Sequence, residues 1–133
     1  MVIGFQKEFV SKIKDGTKIH TIREDKNDRW KAGRKMHLST GVRTSEMKIF
    51  AEKVCVSVQS IEFRWKIITD TNQMPDKFSL QIFIDKKDVT NKINLASLAK
   101  ADGFDTFFDF IQWEAWDKKH FKGKIIHWTD KRY

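Results

Sequence analysis

The chain holds little of what several common chemistries need. Among its 133 residues are one cysteine, one proline, six glycines and one tyrosine. The lone cysteine, Cys55, excludes an internal disulfide and fits a reducing cytosol. Within the strand pattern Val54 to Val58 it reads as a small packing residue. The four histidines, His20, His37, His120 and His127, show no close pair spacing for zinc, so no metal or other cofactor is expected. His20 and His37 are expected to face each other on neighbouring strands, in a structural role. No G-x-S-x-G elbow and no phosphate-cradling glycine loop occurs. No apolar run approaches the roughly 20 residues that cross a bilayer. Lys7, Glu8, Lys12, Lys14 and Asp15 break any signal-peptide core. A cytoplasmic protein without a membrane partner is expected. Repeats, low-complexity tracts and linkers are missing, which leaves a single domain spanning 1–133.

Charge is present in excess. Twenty-six basic and eighteen acidic residues give a net charge of +8, and 33% of residues are charged against 40% hydrophobic. That balance describes a globular chain with a polyanionic partner, for which a phosphate backbone is the simplest candidate.

The coarse organisation alternates short strands with a few helices. Phe5, Phe9, Val10 and Ile13 recur at helical spacing opposite Lys7, Glu8, Lys12 and Lys14. Strand patterns cover Lys35 to Ser39, Phe50 to Val58, Leu80 to Ile84 and Ile125 to Trp128. The sole proline, Pro75, lies in the polar, loop-like stretch Thr69 to Lys77, and Asp85 to Asp88 reads as a turn. A short helix is expected over Leu95 to Lys100. A clearer one covers Thr106 to Lys118, with Thr106 as N-cap and Asp109 three residues on. Its rings Phe107, Phe108, Phe110, Trp113 and Trp116 make a drifting apolar stripe that fits a core plug better than a base-stacking face. Glu24, Asp25 and Asp28 read as solvated turn residues.

The most informative stretch is Gly16-Thr17-Lys18-Ile19-His20-Thr21-Ile22-Arg23. Gly16 stands where a helix C-terminus favours a left-handed residue. Thr21 and Arg23 share one face of the following strand, with His20 and Ile22 on the other. Lys18 lies three residues before Thr21, so a regular strand would point them apart. They converge only if Lys18 belongs to the turn, which Gly16 permits. Further on, Arg29-Trp30-Lys31 interleaves an aromatic ring with two cations. Trp30 can stack on a base or anchor its loop.

The helix, the G-x-K-x-x-T-I-R turn and strand, the Asp28 to Gly33 step, the Ala101-Asp102-Gly103-Phe104 string and the closing strand together resemble the ASCH family. The resemblance covers most of the chain. It implies an α+β fold: a small PUA-like mixed β-barrel with two or three flanking helices. Some short bacterial members hydrolyse the acetyl amide of N4-acetylcytidine with a lysine, a threonine and a glutamate. Others are thought to bind RNA, and some to cleave it. Carried onto this sequence, the motif implies Lys18 and Thr21 as catalytic residues. Asp109 stands at the glutamate's place, and Glu114 is a weaker alternative. Gly16, Arg23, Arg29, Trp30 and Lys31 are the expected substrate or RNA contacts, and the expected partner is RNA or a modified nucleoside or nucleotide.

Two functional classes stay open at this level. A threonine hydroxyl needs a base, and lysine serves only when its surroundings favour the neutral amine. Arg23 would favour that form and could also stabilise an oxyanion. A carboxylate beside Lys18 would instead hold it charged and make the site a ligand clamp. The alternatives are therefore a metal-independent amidohydrolase and a non-catalytic RNA-binding module, with ribonuclease activity less supported.

Overall fold

In the structure, a computed structural model, residues 1–68, 77–107, 109–110 and 120–133 are described. They form a small mixed α+β domain of eight strands and two helices in chain order: β1 (Val2–Gly4), α1 (Glu8–Lys14), β2 (His20–Arg23), β3 (Lys35–Thr40), β4 (Lys48–Val54), β5 (Ser57–Ile68), β6 (Lys77–Ile84), β7 (Lys87–Asp88), α2 (Leu95–Ala101) and β8 (His120–His127).

The strands divide into two sheets. One has the order β1-β3-β4, with β1 parallel to β3; the other has the order β2-β8-β5-β6-β7 and is antiparallel throughout. Among the described residues the two sheets do not close into one ring, which leaves the coarser α+β description standing. The physical reason lies at Cys55 and Val56. The expected continuous strand Phe50 to Val58 breaks there, because the backbone hands over from one sheet to the other. Cys55 exchanges bonds with the chain ahead of β3, through Gly33 N to Cys55 O at 2.7 Å and Cys55 N to Arg34 O at 2.8 Å. One residue later, Val56 N donates to His127 O at 2.8 Å and enters the second sheet.

Local sequence explains most elements. In α1, Phe9 and Ile13 are buried, one turn apart, and Gly16 follows with φ +85°. The backbone N–H of Lys18 donates to Lys12 O at 2.9 Å, so Lys18 belongs to the turn and β2 starts only at His20. Helix α2 is capped by Asn94, whose side chain accepts from Ser97 N at 3.1 Å. Asp85 and Lys86 both take positive φ and turn the chain between β6 and β7, whereas Lys87 and Asp88, expected within the turn, pair with β6 as β7. At the start of the expected late helix, Asp109 N donates to Thr106 Oγ1 at 3.1 Å, the anticipated cap. The remainder of that helix, with Trp113, Glu114 and Trp116, and the Pro75 loop over 69–76, lie outside the described residues.

The core runs between the sheets and is strongly aromatic. Phe63 packs edge-on against Phe110 at 5.7 Å and tilted against Phe121 at 5.8 Å, and Phe104 meets Phe110 at 5.7 Å. Phe110 is fully buried, as expected of a ring that plugs the core. Each such side chain contributes about 1.5–3 kcal/mol on burial. The exposed ion pair Lys35–Glu52, at 3.3 Å, belongs to a class worth about 0–1 kcal/mol, so the aromatic core decides stability.

Candidate functional site

A cavity of about 1010 Å³ opens beside the motif, and Lys18, Thr21 and Arg23 all line it. Its walls come from both sheets and both helices: Phe5 to Phe9 around the start of α1, Thr21 to Arg23 of β2, Gly41 and Val42 after β3, Asp102 at the end of α2, Phe104, and Phe121 of β8. Thr21 is 5% exposed, and its hydroxyl carries no hydrogen bond among the described residues. The guanidinium of Arg23 donates to Gly4 O and lies 5.0 Å from the centre of the Phe5 ring.

Lys18 decides the character of the site. It is 2% exposed, and its ammonium donates to the backbone O of Asp102 and faces Asp102 Oδ1 at 3.4 Å. The rings of Phe5 and Phe9 stand 5.7 and 5.1 Å from Nζ, adding cation–π attraction on the apolar side. A buried ammonium survives only with such compensation. Gly103 makes the approach possible: its φ is +95°, and a Cβ there would lie 2.8 Å from both Lys18 Cδ and Phe9 Cδ1.

Asp102 also faces a histidine. His20 Nδ1 lies 3.1 Å from Asp102 Oδ1, and His20 Nε2 lies 2.7 Å from the Tyr133 hydroxyl. His20 therefore sits in the five-stranded sheet, away from His37 of β3. The histidine it meets is His127, its register partner on β8, with ring centres 5.3 Å apart and nearly perpendicular. His127 Nε2 lies 3.0 Å from Gln59 Oε1, whereas Nδ1 is buried without a partner among the described residues. Burial, then the neighbouring His20 and Arg132 charges, pull the His127 pKa from 6.5 to about 4, against a smaller opposing effect of Asp85.

The other expected contacts are placed differently from one another. Gly16 shapes the turn, but Arg29 and Lys31 are exposed and do not line the cavity. Trp30 is buried in the core, so its ring anchors the loop and is not offered to a base. The cause is Asp25, whose carboxylate accepts from Arg29 N at 2.8 Å, Trp30 N at 2.9 Å and Lys124 Nζ at 3.1 Å. Asp25 is thus an organising residue, not a solvated one. Burial alone would raise its pKa, but the Trp30 and Arg29 amides and the Lys124 charge outweigh it, and the carboxyl titrates below its ordinary range.

Asp109 is exposed and lines a smaller cavity of about 320 Å³ with Lys12, Asp105 and Gly103, on the far side of Phe9 and Phe104. Among the described residues, the carboxylate that touches Lys18 is that of Asp102, seven positions earlier. Within the Ala101-Asp102-Gly103-Phe104 string no local pattern marks Asp102 as a partner of Lys18. The available signal was an acid placed between a helix end and a left-handed glycine, next to an aromatic. His20 was read as structural, and Tyr133 carried no local signal.

Among the described residues no group of three or more His, Cys, Asp or Glu side chains is arranged to hold a metal ion. None of the described helices is long and apolar enough to cross a membrane. Comparison of the chain with protein-family models, with curated proteins and with solved structures gives no match.

The buried imidazole of His127 gives a pH signature. Between pH 6.5 and about 4 the unfolded chain binds a proton that the folded protein excludes. Stability therefore rises with pH through this window and is lost as pH falls through it. Urea unfolding followed from pH 7 down to about 4 should show a falling midpoint, and His127→Gln should flatten the fall between pH 6.5 and 5. An equal slope in both proteins would refute the assignment.

Proposed function

We propose that the protein takes a pyrimidine nucleoside bearing an acyl amide, free or within RNA, into the Lys18–Thr21–Arg23 cavity and hydrolyses that amide, as an ASCH-type, PUA-like domain acting on N4-acetylcytidine. One observation carries the reading: the lysine and threonine of the motif, separated by a turn, line the same cavity. Aromatic side chains of Phe5, Phe9, Phe104 and Phe121 in its walls suit a planar base.

The chemistry follows from the placement. Thr21 Oγ attacks the acetyl carbon, and the carbonyl oxygen gains charge opposite the Lys18 ammonium. The bond to the exocyclic nitrogen breaks, that nitrogen takes the proton lost by Thr21, relayed through the Lys18–Asp102 pair, and departs as the amine, and water releases acetate from Thr21. Pairing with Asp102 stabilises the ammonium form of Lys18, so its first role is that of a cation holding the carbonyl oxygen. A base role requires a proton to pass from Lys18 to the Asp102 carboxylate before it takes the Thr21 proton. Asp102 thereby assumes the orienting role expected of Asp109.

Incubation with N4-acetylcytidine and mass detection of the product tests this. Cytidine should form. Thr21→Ala should lower kcat/KM by at least about 10²-fold with binding nearly unchanged, because the hydroxyl acts in the transition state. Lys18→Ala should lower both turnover and affinity. Turnover that persists in Thr21→Ala would exclude the threonine as nucleophile.

The net charge of +8 supports a second reading, a non-catalytic RNA-binding module, because a free nucleoside has no phosphate to attract. In that case the wild type shows no turnover, and RNA affinity falls steeply with salt as counterions are released. Filter binding of single-stranded RNA between about 50 and 200 mM salt separates the readings, and affinity flat across that range would dismiss the RNA partner.

A further inference from the structure

We infer that His20 and Tyr133 are positioning residues for Lys18, acting through Asp102 from the opposite face of β2. The inference rests on the reading of the Lys18 cavity as the ligand site.

For a neutral imidazole at His20 the hydrogen-bond chain has one direction. The Asp102 carboxylate only accepts, so the His20 Nδ1 at 3.1 Å carries the hydrogen. In the neutral imidazole Nε2 is then a bare acceptor, and the Tyr133 hydroxyl at 2.7 Å donates to it. Burial, aided by the Asp102 charge, raises the Tyr133 pKa and keeps that hydroxyl protonated. The chain thus runs from Tyr133 through His20 to Asp102, where it meets the donation from Lys18.

Each link is fixed from outside the cavity. Tyr133 N donates to Gln59 Oε1 and Gln59 Nε2 donates to Tyr133 O, both at 2.8 Å, so the phenol is anchored to β5. Gln59 Nε2 also donates to Asp85 Oδ2 at 2.8 Å. His20 is fully buried and wedged edge-on between the His127 and Tyr133 rings. Asp102 Oδ1 is shared between His20 and Lys18. Without the His20 donor that carboxylate is free to turn wholly toward Lys18 and draw the ammonium back from the cavity. A lysine has a long, flexible stem, and its amine stays at the cavity wall only while its anchor holds still.

The test uses the full-length, uniformly ¹⁵N-labelled protein without ligand, and then with N4-acetylcytidine. In the wild type, the His20 ring nitrogens should report the Nδ1–H tautomer, and the Lys18 ammonium should give a slowly exchanging signal. In Tyr133→Phe, with backbone spectrum intact, Lys18 ammonium exchange should accelerate. Turnover of N4-acetylcytidine should fall about 10- to 100-fold with KM little changed, as for a misplaced catalytic group. His20→Phe should act more strongly, and His20→Asn, whose side-chain amide can still donate to Asp102, should recover most of the loss. Lys18 exchange that is unchanged in Tyr133→Phe overturns the inference. In a wild type that turns over, unchanged turnover in this variant overturns it as well. Should the wild type neither bind nor hydrolyse N4-acetylcytidine, the proposed function fails, while Lys18 exchange in the ligand-free variant still decides whether the chain positions the lysine. Tyr133→Phe alone suffices if His20→Phe does not fold.

Discussion

One buried positive charge organises the site. An ammonium taken out of water costs several kcal/mol unless opposite charge and hydrogen bonds replace its hydration. Among the described residues, Asp102 brings both to Lys18, through its backbone carbonyl and its carboxylate. That requirement brings the end of α2 against the turn after α1. The packing is supported by Ile19 N donating to Ala101 O at 2.9 Å, and it needs a residue without Cβ at Gly103. It also leaves Phe5 and Phe9 against the ammonium, so the cation forms part of an aromatic cavity wall. The polar chain through His20 to Tyr133 adds a second contact to the same carboxylate oxygen, Oδ1, from the other side of β2.

The same pairing sets the chemical balance of the cavity. A lysine held by a carboxylate is better prepared to receive negative charge than to abstract a proton. In the proposed reaction, threonine chemistry would depend on oxyanion stabilisation first and on proton movement within the Lys18–Asp102 pair second. Arg23 offers a further cation on the same face, steadied by Gly4 O and the Phe5 ring. If no proton leaves Lys18, the same geometry serves as a clamp for a carbonyl or anionic oxygen. Catalyst and clamp thus differ by one proton transfer.

Local features of the fold were legible in the sequence, and long-range ones were not. The apolar face of α1, the left-handed Gly16 and the Thr106 cap follow from spacing within a few residues. The placement of Lys18 in the turn is, in the sequence, only the condition under which it can converge with Thr21. The Asp102 contact joins positions 84 apart in sequence, and the Tyr133 hydroxyl meets His20 across 113. No periodicity reports such a pairing. Asp109 illustrates the difference: its capping geometry was anticipated, yet that local success says nothing of which cavity its carboxylate borders. Trp30 was ambiguous between stacking and anchoring until Asp25 gathered the loop beneath it, against the expectation that Asp25 is solvated. The division into two sheets turns on a two-residue handover at Cys55 and Val56 within one long β-rich stretch.

The central claim is that Lys18 and Asp102 act as one unit. A double-mutant cycle on stability, with Lys18→Met, Asp102→Asn and the double variant measured by urea unfolding, tests it most directly. Each single change strands a buried charge and should cost about 3–5 kcal/mol. The double variant should be more stable than the sum of the two losses predicts, by about 1–3 kcal/mol. Additive losses would contradict the account, because they would mean that the two charges do not depend on each other.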